Sequence, residues 1–319
     1  MAAALRRSAF DRSARLLLRN LRRRGAIRAG SLIVTLFGDA IAPRGGVVAL
    51  ASLIRAGALF DVTERHVRTS VGRLAQDGWI EAQRQGRVSF YRLSETGRRR
   101  FAEATQRIYF SGDWADAPAQ WDGRWTLIAL LPGMGAERER IRREMTLLGF
   151  GQLQPGLLAS PTRAADDTIE ALRELGVIDE VLVARASTIG GIADEKIVRA
   201  AWNLDELEHR YQGFIRLFTP VTDAAARERA LPPDAAFVVR TLLIHEYRKI
   251  HLRDPLLPSK MLPEGWTGQQ AGELCRKLYA SVFQHAESYL SAMYSADGQL
   301  PAPAAATLRR FGGLHPDTL

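Results

Sequence analysis

The sequence contains a single cysteine, Cys275, among its 319 residues. One thiol excludes an internal disulfide framework and a CxxC-type zinc site, and it fits a reducing compartment. Long apolar runs are also missing, because none approaches the roughly 18–20 residues that span a membrane. The Arg-rich N-terminus has only Leu16–Leu18 as an apolar stretch, which is too short for an export signal. We therefore expect a cytoplasmic protein with no membrane contact.

Acidic residues are scarce in the first third of the chain. Residues 1–110 hold 21 Lys and Arg against eight Asp and Glu, a balance of +13, whereas residues 111–319 balance at −4. A basic N-terminal part joined to a mildly acidic remainder is typical of a protein that binds a polyanion. We interpret residues 1–28 as a basic arm or short helix, partly disordered, and more a solvated tail than a phosphate contact.

Signatures of catalysis are missing as well. Gly133-Met134-Gly135 is too short for a Gly-rich phosphate loop. His245-Glu246 with His251 follows the spacing HExxxxH and not HExxH, so the two imidazoles are not one helical turn apart. We predict a protein that is not an enzyme, with no catalytic residue, no metal and no cofactor.

Residues 29–110 show the order helix–helix–helix–hairpin–helix. Apolar periodicity predicts helices over residues 31–42 and 47–59. Thr63 is a candidate N-cap for a third helix that ends at Asp77, with Gly78 beyond it. Residues 79–84 and 87–93 predict a hairpin across Gln85-Gly86, and Ser94 is a candidate cap for a helix to about residue 108. This order predicts a winged helix-turn-helix domain.

The pattern of apolar residues changes after a polar linker over residues 111–123. Strands are predicted at 125–131, 151–159 and 180–186, with helices at 137–148 and 167–175 between them. The order βαβαβ indicates a ferredoxin-like module over residues 124–194. Residues 195–295 read as a helical C-terminal domain, in which Thr267 and Gln270 form a candidate capping box. Residues 296–319 read as a loose Pro/Ala-rich tail. The predicted fold class is α+β.

The predicted helix 63–77 has two different sides. Val67, Val71 and Leu74 form an apolar stripe, and donors suited to base edges and phosphates cover the other side and its flanks. A solvated surface helix is the alternative, but the basic charge and the element order favour DNA binding. The candidate DNA-binding residues on the third helix and on the wing tip are Thr63, Arg65, His66, Arg68, Thr69, Arg73, Arg84, Gln85 and Arg87.

Longer motifs connect the chain to a known family. VTERHVRTSVGRLAQDGW resembles the recognition helix of GntR-type and related winged-helix regulators, in which an Arg matching Arg68 contacts DNA. Residues 149–161, 201–214 and 243–271 (the last LIHEYRKIHLRDPLLPSKMLPEGWTGQQA) are similar to the PaaX family. The resemblance implies a homodimeric repressor of phenylacetate-catabolic genes. It also implies a partly palindromic double-stranded operator and release of the DNA by phenylacetyl-CoA. Sister branches with other acyl-CoA effectors share these motifs.

An aryl-CoA effector needs cations near an apolar or aromatic pocket. The candidate effector-binding residues, for which core packing is the alternative, are Trp202, Arg240, His245, Tyr247, Arg248, Asp254 and Trp266. Two rival functions are a ferredoxin-like nuclease or RNA-binding protein and a CoA-utilising enzyme. The nuclease reading is disfavoured because the first strand of the module ends in Leu131-Pro132-Gly133, without the acidic residues that a metal site needs.

Overall fold

The computed structural model describes residues 8–25, 27–86, 88–110, 121–191, 193–294 and 301–314, without the side chain of Tyr294. The chain forms two compact units, one bounded by residues 1–114, 213–249 and 270–319, and the other by 115–212 and 250–269. Helices and two small antiparallel sheets make the fold α+β, as predicted. Within the described ranges, no helix combines the length and the apolar character needed to cross a membrane.

The first unit begins with α1, Ala9–Arg24, whose N-cap is Ser8. Of the two interpretations of this basic segment, the helix is present, and the solvated tail is not what the structure shows over these residues. Its apolar residues recur at helical spacing, so they form one continuous stripe that the fold buries. The buried apolar side chains of α1 are Phe10, Ala14, Leu17 and Leu21.

Three helices follow, with an irregular turn between the first two. α2 spans Ala29–Leu36 and continues into a π-helical turn, Phe37–Ile41, and a 3₁₀ turn, Ala42–Arg44. The predicted helix 47–59 is instead a strand and a helix, β1 (Val47–Ala49) and α3 (Leu50–Ala58). The strand forms because its backbone pairs with a later strand, a contact that helical periodicity cannot reveal.

The third helix, α4, spans Glu64–Gln76 and has Thr63 as its N-cap, as predicted. It packs closely on α3 at Gly57, where an added Cβ would lie 2.9 Å from Cγ2 of Val67. β2 (Ile80–Gln85) and β3 (Val88–Leu93) form the predicted hairpin, and the sheet order is β1-β3-β2. α5, Glu95–Tyr109, then begins at the predicted Ser94 cap, whose Oγ accepts a hydrogen bond from Gly97 N at 2.9 Å.

The second unit contains one more strand than predicted. Its elements are β4 (Trp125–Leu130), α6 (Gly135–Leu147), β5 (Gly151–Gln154), β6 (Leu157–Ser160), α7 (Ala165–Glu174) and β7 (Val181–Ala186). The predicted strand 151–159 is a hairpin because Gly156 has a positive φ of 88°, which turns the chain back. The order is therefore β-α-β-β-α-β, in an antiparallel sheet with the strand order β5-β6-β4-β7. Ile128, Ile141, Phe150 and Leu172 lie in its core.

Helices α8 (Asp194–Ala201), α9 (Leu204–Ala226), α10 (Pro233–His251) and α11 (Thr267–Tyr294) make up the predicted helical region, which is divided between the two units. Thr267 is the first residue of α11, and its hydroxyl donates to Glu208 Oε1 at 3.1 Å. The loose-tail prediction is wrong for residues 301–314. A 3₁₀ segment, Ala305–Gly312, buries Arg310 and Phe311 in the first unit.

A buried network of charges organises the core of the first unit. Asp39, on the π-helical turn, accepts hydrogen bonds from Arg240 Nε at 2.7 Å, Arg310 Nη1 at 2.8 Å, and the hydroxyls of Tyr109 and Tyr279 at 2.8 and 2.7 Å. Burial alone would raise the pKa of Asp39, but the two arginines and the two hydroxyls outweigh it and hold that pKa below its ordinary value. α2, α5, α10, α11 and the 305–312 segment are thereby joined at one ionised side chain.

A second anion completes this cluster. Arg240 Nη1 donates to Glu287 Oε1 at 2.5 Å, and Glu287 also forms an ion pair with Arg44. The Arg44 and Arg240 side chains are almost wholly buried. Buried cations of this kind require paired carboxylates, since an unpaired charge in a protein interior is costly.

Candidate nucleic-acid interface

The outer side of α4 is polar and accessible. Val67 and Val71 are fully buried, and they fix which side of the helix faces the core. The side chains of this helix that were predicted from the sequence to bind DNA all lie outside that buried stripe. Exposed are Thr63, Arg65, His66, Arg68, Thr69 and Arg73. A rigid helix thus presents three guanidinium groups, an imidazole and hydroxyls to an external partner.

The first turn of α4 is held by local hydrogen bonds. Thr63 Oγ1 accepts from the backbone N of His66 at 3.4 Å and lies 3.1 Å from Nδ1 of the same residue. Thr69 Oγ1 donates to the carbonyl of Arg65 at 2.9 Å. These contacts orient the hydroxyls along the helix, and they keep the exposed end of α4 ordered before any partner binds.

The three arginines of α4 differ in their partners. Arg68 forms an i,i+4 ion pair with Glu64, with Nη2 2.7 Å from Oε1, and both side chains are more than half exposed. Arg65 and Arg73 form no ion pair with any residue in the described part of the chain. Arg68 must therefore leave the Glu64 carboxylate before it can bond to an external partner, whereas Arg65 and Arg73 have no ion pair to break.

The hairpin places further donors at its tip. Gln85 pairs with Val88 across the turn, and Gly86 has the positive φ that such a turn requires. Arg84 and Gln85 are exposed, and Arg84 Nε donates to the Gly86 carbonyl at 3.2 Å. Arg87, the other nominated wing cation, lies outside the described residues.

Four candidate effector residues lie on α10 in the first unit, and the structure places them in its core. Arg240 is held by Asp39 and Glu287, and the Tyr247 ring packs against Phe214 at an interplanar angle of 52°, with a centroid distance of 5.6 Å. His245 Nδ1 lies 2.9 Å from the Thr35 hydroxyl, and Arg248 Nε donates to the same oxygen at 2.9 Å. Burial and the nearby cations lower the pKa of His245 to about 3, so this imidazole is neutral.

The other three candidates lie in the second unit. Asp254 Oδ2 accepts from the Tyr211 hydroxyl at 2.7 Å, and Trp266 packs edge-on against Tyr211 with a centroid distance of 6.4 Å. Trp202 stacks on Trp125 with a centroid distance of 6.3 Å. Tyr211 thus joins Asp254 to Trp266, while Trp202 belongs to a separate aromatic contact.

Three family models match consecutive parts of the chain. They are described as "PaaX-like protein" over residues 28–97, "PaaX protein central Cas2-like domain" over 118–198, and "PaaX-like protein C-terminal domain" over 202–292. A curated relative, "Transcriptional repressor PaaX" of Escherichia coli (strain K12), is 38% identical over 293 residues, which cover 89% of this chain and 90% of the relative. The chain belongs to the PaaX family. The prediction that it is not an enzyme is confirmed, because this relative is a transcriptional regulator.

A solved structure is also similar to the PaaX-family chain. It is "Uncharacterized protein Rv0674 from Mycobacterium tuberculosis", with 20% identity and a TM-score of 0.46, covering 75% of this chain and 90% of that one. The candidate DNA-binding residues of α4 and the hairpin all fall inside the family match over residues 28–97, whereas α1 precedes that match.

Asp39, Glu287 and Arg310 of this PaaX-family chain were not among the residues predicted from the sequence. One signal was present for Asp39, which is the only charged residue in the apolar stretch Leu32–Ala42 and therefore needs a buried partner. Nothing local pointed to Arg310, which lies 271 positions later. Among the described residues no group of three or more His, Cys, Asp or Glu side chains is arranged to hold a metal ion.

Proposed function

We propose that the chain represses transcription by binding double-stranded operator DNA through α4 and the β2–β3 hairpin, in the manner of a winged helix-turn-helix. The observation that carries the proposal is the exposed side of α4, where Arg65 and Arg73 stand opposite the buried Val67 and Val71 and the exposed Arg68 lies on a flank. In helix-turn-helix proteins the second helix of the motif enters the major groove, and its N-terminal residues contact base edges. The curated relative's name, a transcriptional repressor, supports the same conclusion.

The roles of the side chains follow from their chemistry. Arg68 and Arg65 on the first two turns of α4 are suited to guanine O6 and N7, which arginine recognises with two hydrogen bonds. Arg84 at the hairpin tip, and Arg87 beside it in sequence, are suited to phosphates, which position a protein on DNA without reading sequence. The operator is then a partly palindromic site bound by a homodimer in the cytoplasm.

The proposed effector is an aryl-CoA thioester, and phenylacetyl-CoA is the first compound to test. The family resemblance implies control of phenylacetate-catabolic genes, and a thioester of that acid would report that the pathway's substrate is present. Such a ligand must bind the DNA-free state more tightly than the DNA-bound state, or it could not shift the equilibrium. Contacts of the effector with Trp202, Arg240, His245, Tyr247, Arg248, Asp254 and Trp266 stay a prediction.

For the second unit, a role in packing or in communication between domains is favoured over catalysis. We propose a ferredoxin-like fold for its β-α-β-β-α-β elements, the arrangement that some nucleases share. A nuclease needs free carboxylates to hold a metal ion. Asp122, the acid nearest the start of β4, instead pairs with Arg185 Nη2 at 2.5 Å. This ion pair favours a structural role.

The proposal is tested by fluorescence anisotropy with the promoter fragment upstream of the chain's own gene. We expect nanomolar binding by the full-length protein, and we expect Arg68→Ala to weaken it by roughly 1–3 kcal/mol with relaxed preference at one base pair. Arg210→Ala is the matched control, because Arg210 forms the same i,i+4 ion pair with Glu206 in the second unit. Equal affinity of wild type for the promoter and for a scrambled duplex would refute the proposal. Phenylacetyl-CoA, free phenylacetate and CoA are then titrated into the complex, and only the thioester should release the DNA.

A further inference from the structure

The outward side of α1 is lined with arginines. Phe10, Ala14, Leu17 and Leu21 define its buried stripe. At 100° per residue, Arg19 lies opposite the centre of that stripe, and Arg23 lies one turn further on, close to the same line. Both side chains are exposed. Because α1 is fixed by its buried side, these two guanidinium groups have a defined direction.

Neighbouring arginines on α1 already have carboxylate partners. Arg15 Nε lies 3.1 Å from Asp11 Oδ1, and Arg22 pairs with Asp61. Arg19 and Arg23 have no such partner among the residues that the structure describes. Like charges four residues apart on a helix repel each other, so this pair is unfavourable in the free protein and is relieved by a bound anion.

The end of α1 that carries this pair lies beside the start of α4. The connection is the ion pair between Arg22 and Asp61, since Asp61 precedes the N-cap residue Thr63 by two positions. Arg23 directly follows Arg22 in the chain. A recognition helix that inserts its N-terminal end into a major groove brings adjacent protein surface to the phosphates along the groove's edge. The end of α1 that carries Arg23 is therefore adjacent to the end of α4 that would enter the groove.

We infer that Arg19 and Arg23 form a second DNA contact, which binds backbone phosphates beside the base pairs read by α4. The inference rests on the proposed function, because it takes α4 as the recognition helix. The ligand is the phosphodiester backbone and not the bases, since an isolated pair of guanidinium groups on a solvent-facing helix offers charge without a shaped pocket. The contact adds affinity for any duplex and no preference for sequence.

The test compares two double variants of the full-length protein. Arg19→Gln/Arg23→Gln removes the charges and keeps good helix formers in place. The matched control is Arg227→Gln/Arg229→Gln, which removes two exposed arginines near the opposite end of α1. That end is located by Phe10 N, which donates to Glu228 Oε1 at 2.9 Å, and α1 is about 24 Å long at 1.5 Å per residue.

Binding is measured by anisotropy at 100 to 400 mM KCl, on a duplex selected by the wild type from a random library and on its scrambled version. The slope of log K against log salt should become shallower by about 1.8 for each bound protomer of the α1 variant, at roughly 0.9 for each lost phosphate contact. Affinity for both duplexes should fall by the same factor, so that the ratio between them is unchanged. The control variant should keep the wild-type slope.

The outcomes separate this inference from the proposed function. A wild-type slope for the α1 variant, with intact binding to the selected duplex, would overturn the inference and leave α4 as the reader. An unchanged slope together with altered sedimentation would show that the pair contacts protein, which also overturns it. If the wild type selects no duplex at all, the proposed function fails first and the inference falls with it.

Discussion

The carboxylate of Asp39 accepts a hydrogen bond from Arg240 Nε at 2.7 Å across 201 positions of sequence. This contact ties the turn after α2 to α10, and both side chains are almost completely buried. The turn between α2 and α3 is thus anchored to α10 of the same unit by an ionised side chain. Changes at this anchor are expected to reach α4 through α2, which packs against it.

Asp39→Asn should destabilise the protein by about 3–5 kcal/mol, because it leaves the buried Arg310 without a carboxylate and Arg240 with Glu287 alone. Urea unfolding followed by circular dichroism measures the loss. Glu103→Gln, an exposed change on α5, should stay within about 0.5 kcal/mol of the wild type. A loss at Asp39 as small as that of the control would mean that the cluster tolerates an unpaired cation.

His245 should make stability fall with acid. Its pKa is about 3 in the folded chain and near 6.5 when unfolded, so below pH 6.5 the unfolded state takes up a proton that the folded state does not. Unfolding free energy should drop by up to about 1.4 kcal/mol per pH unit as pH falls from 6.5 toward 3. Urea titrations at pH 7, 6 and 5 should show a shallower drop for His245→Gln. The exposed His66→Gln should leave the wild-type slope intact, and the same slope in both variants would contradict this role for His245.

Two glycine-to-alanine substitutions should change the free energy of unfolding in opposite directions. An added Cβ at Gly97 would lie 2.0 Å from the carbonyl oxygen of Trp79, so Gly97→Ala must push α5 from the base of the hairpin and cost about 1–3 kcal/mol. Gly72 on α4 has nothing within 4 Å of such a Cβ, and Gly72→Ala should stabilise the helix by about 0.5–1 kcal/mol. Thermal unfolding of both variants measures the difference. A stable Gly97→Ala protein would disprove the close packing of α5 on Trp79.

Removing the partner of Arg68 should strengthen DNA binding. Glu64→Gln abolishes the exposed ion pair and one negative charge near the phosphates, and we expect a gain of up to about fivefold, or ~1 kcal/mol. Glu206→Gln breaks the equivalent pair with Arg210 at the start of α9 and should change nothing. Anisotropy on the promoter duplex compares the two. Weaker binding by Glu64→Gln would indicate that the carboxylate is needed to orient Arg68.

Cys275 offers a chemical probe of the core. Its side chain is fully buried, and burial raises the pKa of the thiol well above its ordinary value. We expect no reaction with Ellman's reagent in native buffer and one thiol per chain in urea, since the thiolate is the reactive form. The labelling midpoint should coincide with loss of helical signal. One equivalent of rapid reaction in native buffer would show that α11 opens locally.

Local chemistry made part of this fold predictable. Thr63 and Ser94 were recognisable as caps because a helix start needs a side-chain acceptor for its first free N–H groups, and that need is met within three residues. The side of α4 that carries Arg65 and Arg73 followed from the spacing of two buried valines. These features depend on neighbours in sequence, and so the candidate interface could be drawn before the structure.

Long-range pairing made the rest unpredictable. Val47–Ala49 became a strand because of a partner more than 40 residues later, and Arg310 became a core residue because of Asp39. In a Pro/Ala-rich segment, the neighbouring residues do not indicate that an arginine will be buried. The effector site predicted on α10 depends on long-range contacts in the same way. Arg240 and His245 are residue types that often bind ligands, but both are buried in the core here.

The position of Arg310 has a consequence for synthesis of the chain on a ribosome. Helices α2 to α4 and the β2–β3 hairpin emerge early, yet Arg240 follows Asp39 only after 201 further residues and Arg310 only after 271. Until then the turn after α2 carries an anion that must stay solvated, because burying it alone is costly. A nascent or truncated chain that lacks residue 310 therefore lacks one of the cations that hold the turn after α2 in place.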